Sequence, residues 1–303
     1  MEIAKLRECL TAACPGLELL EEEPMRLHTS FRIGGPVRLM ARVKDDREFA
    51  AALKGAAQLG IVPFVLGNGT NVLAGDGSLD RFVILTAGGL DVLERRGETE
   101  ILCGAGVPLA RLAVFAMEQG LTGLEFAHGI PGTLGGGMAM NAGAYGGELR
   151  DVAVSSNYLT LDGEAGTLVG EAQQLSYRHS AYSSGEKFVT SAVLRLRPGN
   201  REEIRARMEE LAQKRRASQP LEYPSAGSTF KRPAGGYAAA LIDQCGLKGL
   251  RVGGAQVSEK HAGFVINTGG ATCADVLALT DQIRETVLRQ TGIALELEIR
   301  RLD

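Results

Sequence analysis

The stretch Gly129-Ile130-Pro131-Gly132-Thr133-Leu134-Gly135-Gly136-Gly137-Met138-Ala139-Met140-Asn141-Ala142-Gly143-Ala144-Tyr145-Gly146-Gly147 holds 8 glycines in 19 residues. A packed core has no need of so much glycine, whereas a flat ligand pressed against backbone does. A flexible linker is the plain alternative, but the embedded Ile130, Pro131, Met140 and Tyr145 argue for order. The segment therefore reads as the surface of a large ligand site.

Upstream, Pro63-Phe64-Val65-Leu66 is a short apolar run bounded by turn residues, which reads as a buried strand. It empties into Gly67-Asn68-Gly69-Thr70-Asn71. A loop of this kind can aim consecutive backbone N–H groups at phosphate oxygens, with Thr70 and Asn71 adding side-chain hydrogen bonds. An ordinary strand-to-strand turn explains the same residues equally well. Other nucleotide signatures fail: there is no G-x-G-x-x-G, no Gly-Lys dipeptide for a P-loop and no G-x-S-x-G nucleophile elbow. A Rossmann dehydrogenase, a P-loop kinase and an α/β-hydrolase are thereby disfavoured.

The whole chain sets wider bounds. Its 303 residues suffice for two or three domains, and 45% hydrophobic residues allow sizeable cores. A net charge of −3 argues against a nucleic-acid binder. Five cysteines (Cys9, Cys14, Cys103, Cys245 and Cys273) form no CxxC pair, so buried thiols in a reducing compartment are expected. His28, His128, His179 and His261 are scattered without metal-ligand spacing, and no metal is expected. No apolar run approaches a membrane span and no signal peptide is visible, so the expected setting is cytoplasmic, with no membrane partner; separately, a monomer is expected.

Periodicity and punctuation predict helices over 2–14, 45–59, 107–119, 201–217, 236–245 and 272–290. Strands are predicted at 63–66, 81–86, 263–267 and 293–301, with several short ones before Leu196 and a loop at 220–233. The run Glu21-Glu22-Glu23 reads as a solvated surface segment. The pattern is α+β, with a boundary near residue 200 at Pro198-Gly199-Asn200.

Three later spots can carry catalysis: Tyr177-Arg178-His179-Ser180, Ala226-Gly227-Ser228-Thr229-Phe230-Lys231, and Leu295-Glu296-Leu297-Glu298-Ile299-Arg300. In the last, a period of two points Glu296, Glu298 and Arg300 to one face. Singly, each reads more simply as a surface arginine, a plain turn or a solvated strand face.

Taken in order, the segments Gly67–Asn71, Gly123–Glu148, Tyr177–Ser180, Pro224–Pro233 and Gly253–Asn267, with a weaker start at His28–Gly35, resemble the UDP-N-acetylenolpyruvoylglucosamine reductase family. Similarity runs from about Asn68 to Ile299, and the chain looks like the shorter subgroup that lacks an inserted tyrosine loop. The resemblance implies a two-subdomain α+β FAD-binding unit of the vanillyl-alcohol-oxidase type plus a smaller C-terminal α+β substrate domain. Its divisions would be an N-terminal helical segment 1–22, an FAD-binding domain of PCMH type 23–199, and a substrate-binding domain 200–303 whose final strand returns to the active site. It implies non-covalent FAD held by Gly67, Asn68, Gly69, Thr70, Asn71, Gly129, Ile130, Pro131, Gly132, Thr133, Gly135, Gly136, Asn141 and Gly143.

By motif, the resemblance implies catalytic roles for Arg178, Ser228 and Glu298, with Glu296 the competing carboxylate one strand step away. It implies substrate contacts from Tyr177, Lys231 and Arg232, although the family often has Asn where Arg232 stands. The implied activity is NADPH-dependent, FAD-mediated reduction of UDP-N-acetylglucosamine enolpyruvate to UDP-N-acetylmuramate in peptidoglycan precursor synthesis. An oxygen-using alcohol or sugar oxidase of the same FAD fold, and a non-catalytic nucleotide-binding regulator, are the other readings. The first is disfavoured by the serine and the terminal glutamate strand, the second by Arg178, Ser228 and Glu298 occurring together.

Overall fold

The computed structural model describes residues 2–303. The chain forms two compact units. Unit 1 comprises residues up to Glu21, Leu39–Asn68 and Arg81–Lys214, and unit 2 comprises Glu22–Arg38, Gly69–Asp80 and Arg215–Asp303.

Unit 1 centres on a five-stranded antiparallel sheet in the order Ala165–Val169, Ala153–Thr160, Lys187–Arg195, Glu100–Gly104, Leu93–Arg96. Phe64–Leu66 pairs in parallel with Leu79–Leu85, Phe64 lying opposite Val83 and Leu66 opposite Leu85. The helix Asp46–Gln58 buries Phe49, Ala52, Leu53 and Ala56, positions at i, i+3, i+4 and i+7 that form one apolar stripe. It starts where it does because the Asp45 carboxylate accepts the Glu48 N–H at 2.8 Å, while the buried Glu48 carboxylate accepts the Lys44 N–H at 2.8 Å. The core also takes in Leu6 and Leu10 of the first helix, Ile101 and Cys103, and Leu109, Leu112 and Ala116 of the helix Leu109–Glu118.

Unit 2 holds a four-stranded antiparallel sheet in the order Ser225–Ser228, Phe264–Asn267, Ala255–Val257, Arg251–Val252. The helix Cys273–Thr291 covers it with Val276, Leu279, Ile283 and Val287, all buried in one cluster with Val257 and Val265. Thr272 and Asp275 form a capping box, and Gly292 closes the far end with φ 72°. The Asp76 carboxylate accepts two more first-turn amides, Cys273 N–H at 2.6 Å and Ala274 N–H at 3.0 Å.

The predicted helices all form within two residues of their expected ends. Two expectations need correction. The predicted loop at 220–233 contains the strand Ser225–Ser228. Small residues with a glycine read as a turn, but Gly227 (φ 75°) sits in an irregularity of register between Ser225 and Ser228 that lets the strand continue. The predicted strand 293–301 is a strand only at Arg300–Leu302. The earlier residues keep the alternation, with Leu295 and Ile299 buried and Glu296 exposed, but contribute only one isolated bridge, Leu297 to Phe230. Alternation reports which side chains face the core; it does not supply a neighbouring strand.

The acidic run lies within the strand Glu18–Pro24, and its third member, Glu23, is half-buried 2.7 Å from the His28 ring. All five cysteines are free thiols; Cys14, Cys103 and Cys273 are buried as expected, whereas Cys9 and Cys245 are half-buried. Among the described residues no helix is long and apolar enough to cross a membrane. Among the same residues no cluster of His, Cys, Asp or Glu could hold a metal ion.

Candidate active site

In unit 1 the two glycine-rich segments meet. Asn68 Nδ2 donates to the Pro131 carbonyl at 3.1 Å. A Cβ at Gly67 would lie 2.5 Å from Thr133 Oγ1, so glycine is required for the strand end to come this close. The segment runs beside residues 105–109: Leu109 N–H donates to Gly132 O, Leu134 N–H to Val107 O and Gly135 N–H to Ala105 O, each at 2.9 Å. Gly129 and Gly132 are half-buried, and Ile130 packs against the core with its N–H on Ala127 O at 3.0 Å.

Thr133 is the polar centre of this cradle. It occupies the N-cap of the short helix Leu134–Met140, yet its hydroxyl caps nothing in that helix. The residue is 1% exposed and Oγ1 has no hydrogen-bond partner in the protein. A buried hydroxyl without a partner costs free energy, and such groups ordinarily have one. A donor beside Gly67, with only Thr133 Oγ1 at 3.8 Å from the space a Cβ would take at Gly136, fits a bound group that brings phosphate oxygens. The residues thus fit FAD.

The far end of the cradle is a hairpin missed in the sequence. Gly143–Ala144 pairs with Gly147–Glu148 across Tyr145-Gly146, both with positive φ (54° and 87°), as a two-residue type I′ turn requires. Asn141, buried and left-handed at φ 44°, uses its side-chain amide within the protein: Nδ2 donates to Glu148 Oε2 at 3.0 Å and to Ser176 O at 3.1 Å, and Oδ1 accepts Arg150 N–H at 2.9 Å.

The contact to Ser176 O carries the cradle to the Arg178 turn. Ser176 and His179 exchange backbone hydrogen bonds at 3.0 and 3.1 Å, leaving Tyr177 and Arg178 at the tip. Ser180 Oγ and Ser183 Oγ both donate to Ala139 O, at 3.0 and 3.1 Å, which anchors the turn to the helix Leu134–Met140. Arg178 is left-handed at φ 54°, an uncommon state for a residue with a Cβ. Its Cζ lies 5.2 Å from the centroid of the exposed Tyr177 ring.

Unit 2 places the Glu298 backbone against the residue that follows Ser228. Glu298 N–H donates to Thr229 O at 2.8 Å, next to Ser228. Thr229 is buried; its N–H donates to Gly263 O at 2.8 Å and its Oγ1 accepts Val265 N–H at 3.0 Å. The rival carboxylate differs in setting. The Glu296 side chain is 77% exposed and pairs with Lys231 Nζ at 2.9 Å, whereas Glu298 is half-buried. The Arg232 guanidinium stacks 3.8 Å from the Tyr237 ring centroid. Gly69 also belongs to this unit: at φ 60° its Cβ would stand 2.0 Å from the His28 carbonyl oxygen, and its own carbonyl accepts Ser30 N–H at 3.1 Å. Burial pulls Arg300 below the usual guanidinium range.

Asn71 lies in the same unit, with its Nδ2 on Glu298 O at 3.0 Å. The sequence carries no signal for that contact, nor for the hydrogen bond from Ser30 Oγ to Ser225 O at 2.6 Å, because each links residues distant in the chain.

Two family models match the chain: an FAD binding domain over residues 37–168, and the C-terminal domain of UDP-N-acetylenolpyruvoylglucosamine reductase over residues 219–302. A UDP-N-acetylenolpyruvoylglucosamine reductase of Agathobacter rectalis is 46% identical, covering 96% of each chain. One of Syntrophomonas wolfei is 45% identical over 92% of this chain and 93% of its own. The crystal structure of the reductase from Thermus caldophilus superposes with a TM-score of 0.79 at 34% identity, covering 95% of this chain and 99% of that one. With similarity of this degree along nearly its whole length, and a cradle fit for FAD, the chain belongs to the UDP-N-acetylenolpyruvoylglucosamine reductase family and is an FAD-dependent oxidoreductase.

Proposed function

We propose that this chain reduces UDP-N-acetylglucosamine enolpyruvate to UDP-N-acetylmuramate with NADPH as hydride donor, as a cytoplasmic monomer serving peptidoglycan precursor synthesis. In this reading residues 23–199 bind FAD, residues 200–303 bind the sugar nucleotide and residues 1–22 are an N-terminal segment. The observation that carries the reading is the hydrogen bond from Glu298 N–H to Thr229 O, which sets the backbone of half-buried Glu298 against the residue that follows Ser228.

FAD would be held by the Gly67–Asn71 loop at its pyrophosphate and lined by Gly129, Ile130, Pro131, Gly132, Thr133, Gly135, Gly136 and Gly143, with Thr133 Oγ1 donating to it. Asn141 serves that surface through the turn it holds, since its amide is engaged with Glu148, Ser176 and Arg150. When bound, FAD would supply hydride-transfer chemistry between NADPH and the methylene carbon of the enolpyruvyl group. FAD is read as bound non-covalently, as in the family; at Cys103 burial pushes the thiol far above its ordinary value, against the smaller opposing effect of Arg111, which makes that side chain a poor nucleophile.

Addition at the methylene carbon leaves negative charge on the neighbouring carbon and its carboxylate. Arg178 offsets that charge with its planar fork of N–H donors. The Ser228 hydroxyl then gives its proton to that carbon, so one hydride and one proton cross the double bond. A serine hydroxyl is a weak acid in water, but an enolate carbon is a strong enough base to take its proton. Glu298 orients this cluster. Lys231 and Arg232 meet the diphosphate, with Lys231 exchanging its pairing to Glu296 for a phosphate oxygen. Tyr177 contributes an exposed aromatic face beside Arg178.

The test is spectroscopic. The purified protein should show a flavin band near about 450 nm that NADPH bleaches under anaerobic conditions. Addition of the enolpyruvyl sugar nucleotide should restore it. Bleached flavin that the sugar nucleotide leaves bleached would rule out this substrate.

A further inference from the structure

Glu298 stands where the chain changes partners. Before it, Leu297 bridges Phe230, and Lys231 N–H donates to Glu296 O at 2.8 Å. After it, Arg300–Leu302 runs parallel to Val72–Ala74, in register from Arg300 opposite Val72 to Leu302 opposite Ala74. Glu298 still gives its N–H to the first run, as one of the two bonds around the Leu297–Phe230 bridge, but its carbonyl lies beyond that bridge and needs a partner from elsewhere. The N–H of Glu298 reaches Thr229 O. Its carbonyl accepts Asn71 Nδ2 at 3.0 Å, and the Asn71 carbonyl in turn accepts Arg300 N–H at 2.9 Å. Asn71 directly precedes the strand Val72–Ala74, so one residue spans the join with its side chain on Glu298 and its backbone on Arg300.

We propose that Asn71 is a positioning residue that holds Glu298 in register beside Ser228. This rests on the reading of Glu298 as the active-site carboxylate. Asn71 ends the loop assigned to the cofactor, but its amide points at protein backbone, so its side chain acts through Glu298. The other side of the pair is already rigid, because Thr229 is buried and fixed to Gly263 and Val265. Freeing the Glu298 carbonyl from Asn71 loosens the carboxylate relative to Ser228, and displacement of a reacting group by about 1 Å can cost about 100-fold in rate.

The experiment compares half-reactions of the holoenzyme. Asn71→Asp keeps the side-chain shape and removes both N–H donors. Flavin reduction by NADPH and flavin reoxidation by the enolpyruvyl sugar nucleotide are timed separately by stopped flow. Reoxidation should fall about 10- to 100-fold more than reduction, at saturating sugar nucleotide, as a loss in kcat rather than a rise in KM. In a Glu298→Gln background the same change should cost nothing further. Equal losses in both half-reactions, or a full additional loss on top of Glu298→Gln, overturns the positioning role while leaving Glu298 in place. Glu298→Gln reoxidising at the native rate removes Glu298 from the site, and the positioning role with it. Should Asn71→Asp not retain flavin, Asn71→Ser is measured by the same criteria.

Discussion

Replacing Thr133 with valine separates the cofactor reading from a purely structural one. The two side chains have nearly the same shape, so the change removes a hydroxyl and little else. Within the protein that hydroxyl has no partner, although the residue is 1% exposed. The apoprotein therefore loses no protein hydrogen bond, and its unfolding midpoint should hold or rise. Flavin affinity should fall. Gly67 leaves Thr133 Oγ1 at the end of the proposed pyrophosphate loop, and a hydrogen bond to a charged group contributes about 1.5–3 kcal/mol. At about 1.4 kcal/mol per tenfold, Kd for FAD should rise roughly 10- to 140-fold. Titration of apoprotein with FAD, followed by flavin fluorescence, measures it. A Kd within about twofold of native would refute the donor role. A drop of several degrees in the apoprotein midpoint would show that the hydroxyl has a structural task.

Ser228→Ala should still permit NADPH to bleach the flavin but block product formation; turnover at the native rate would end the proton-donor assignment. Gly69→Ala puts a Cβ 2.0 Å from a backbone carbonyl at φ 60°, so neither partner can swing aside; left-handed strain alone costs about 1–2 kcal/mol, and urea denaturation should show at least that loss. The neutral His261 ring accepts Gly263 N–H at Nδ1 (3.2 Å) and meets Phe264 edge-on. Burial chiefly lowers its pKa from 6.5, a backbone hydrogen bond opposes that and Lys248 lowers it further. Its contribution to stability is thus complete above about 6.5 and is lost as pH falls from there through the lower folded value. Urea midpoints at pH 7.5 and 5.5 should differ more for native protein than for His261→Gln, and equal differences would refute the shift.

Much of this protein is legible from its residues in order. The stripe Phe49, Ala52, Leu53 and Ala56 announces a helix because a period of 3.6 is local, and Gly292 marks the end of the last helix because left-handed backbone favours glycine. The glycine density of 129–147 announces a ligand surface, and the ordered motifs point to the family. The tertiary structure alone decided the rest. Leu295 to Ile299 alternate like a strand, but whether a strand forms depends on a neighbour, and the neighbour changes from Phe230 to Val72–Ala74 within a few residues. Residues 22–38 and 69–80 pack with 215–303, an arrangement with no local signature. Asn71 reads as a loop residue, yet its amide closes on a carbonyl 227 positions away. Thr133 sits at the N-cap of a short helix, yet its hydroxyl caps nothing there. Sequence pattern encodes which face of an element is apolar and where the backbone must turn; hydrogen bonds between distant segments are chosen by three-dimensional proximity, and the proposed chemistry of Ser228 and Glu298 depends on those.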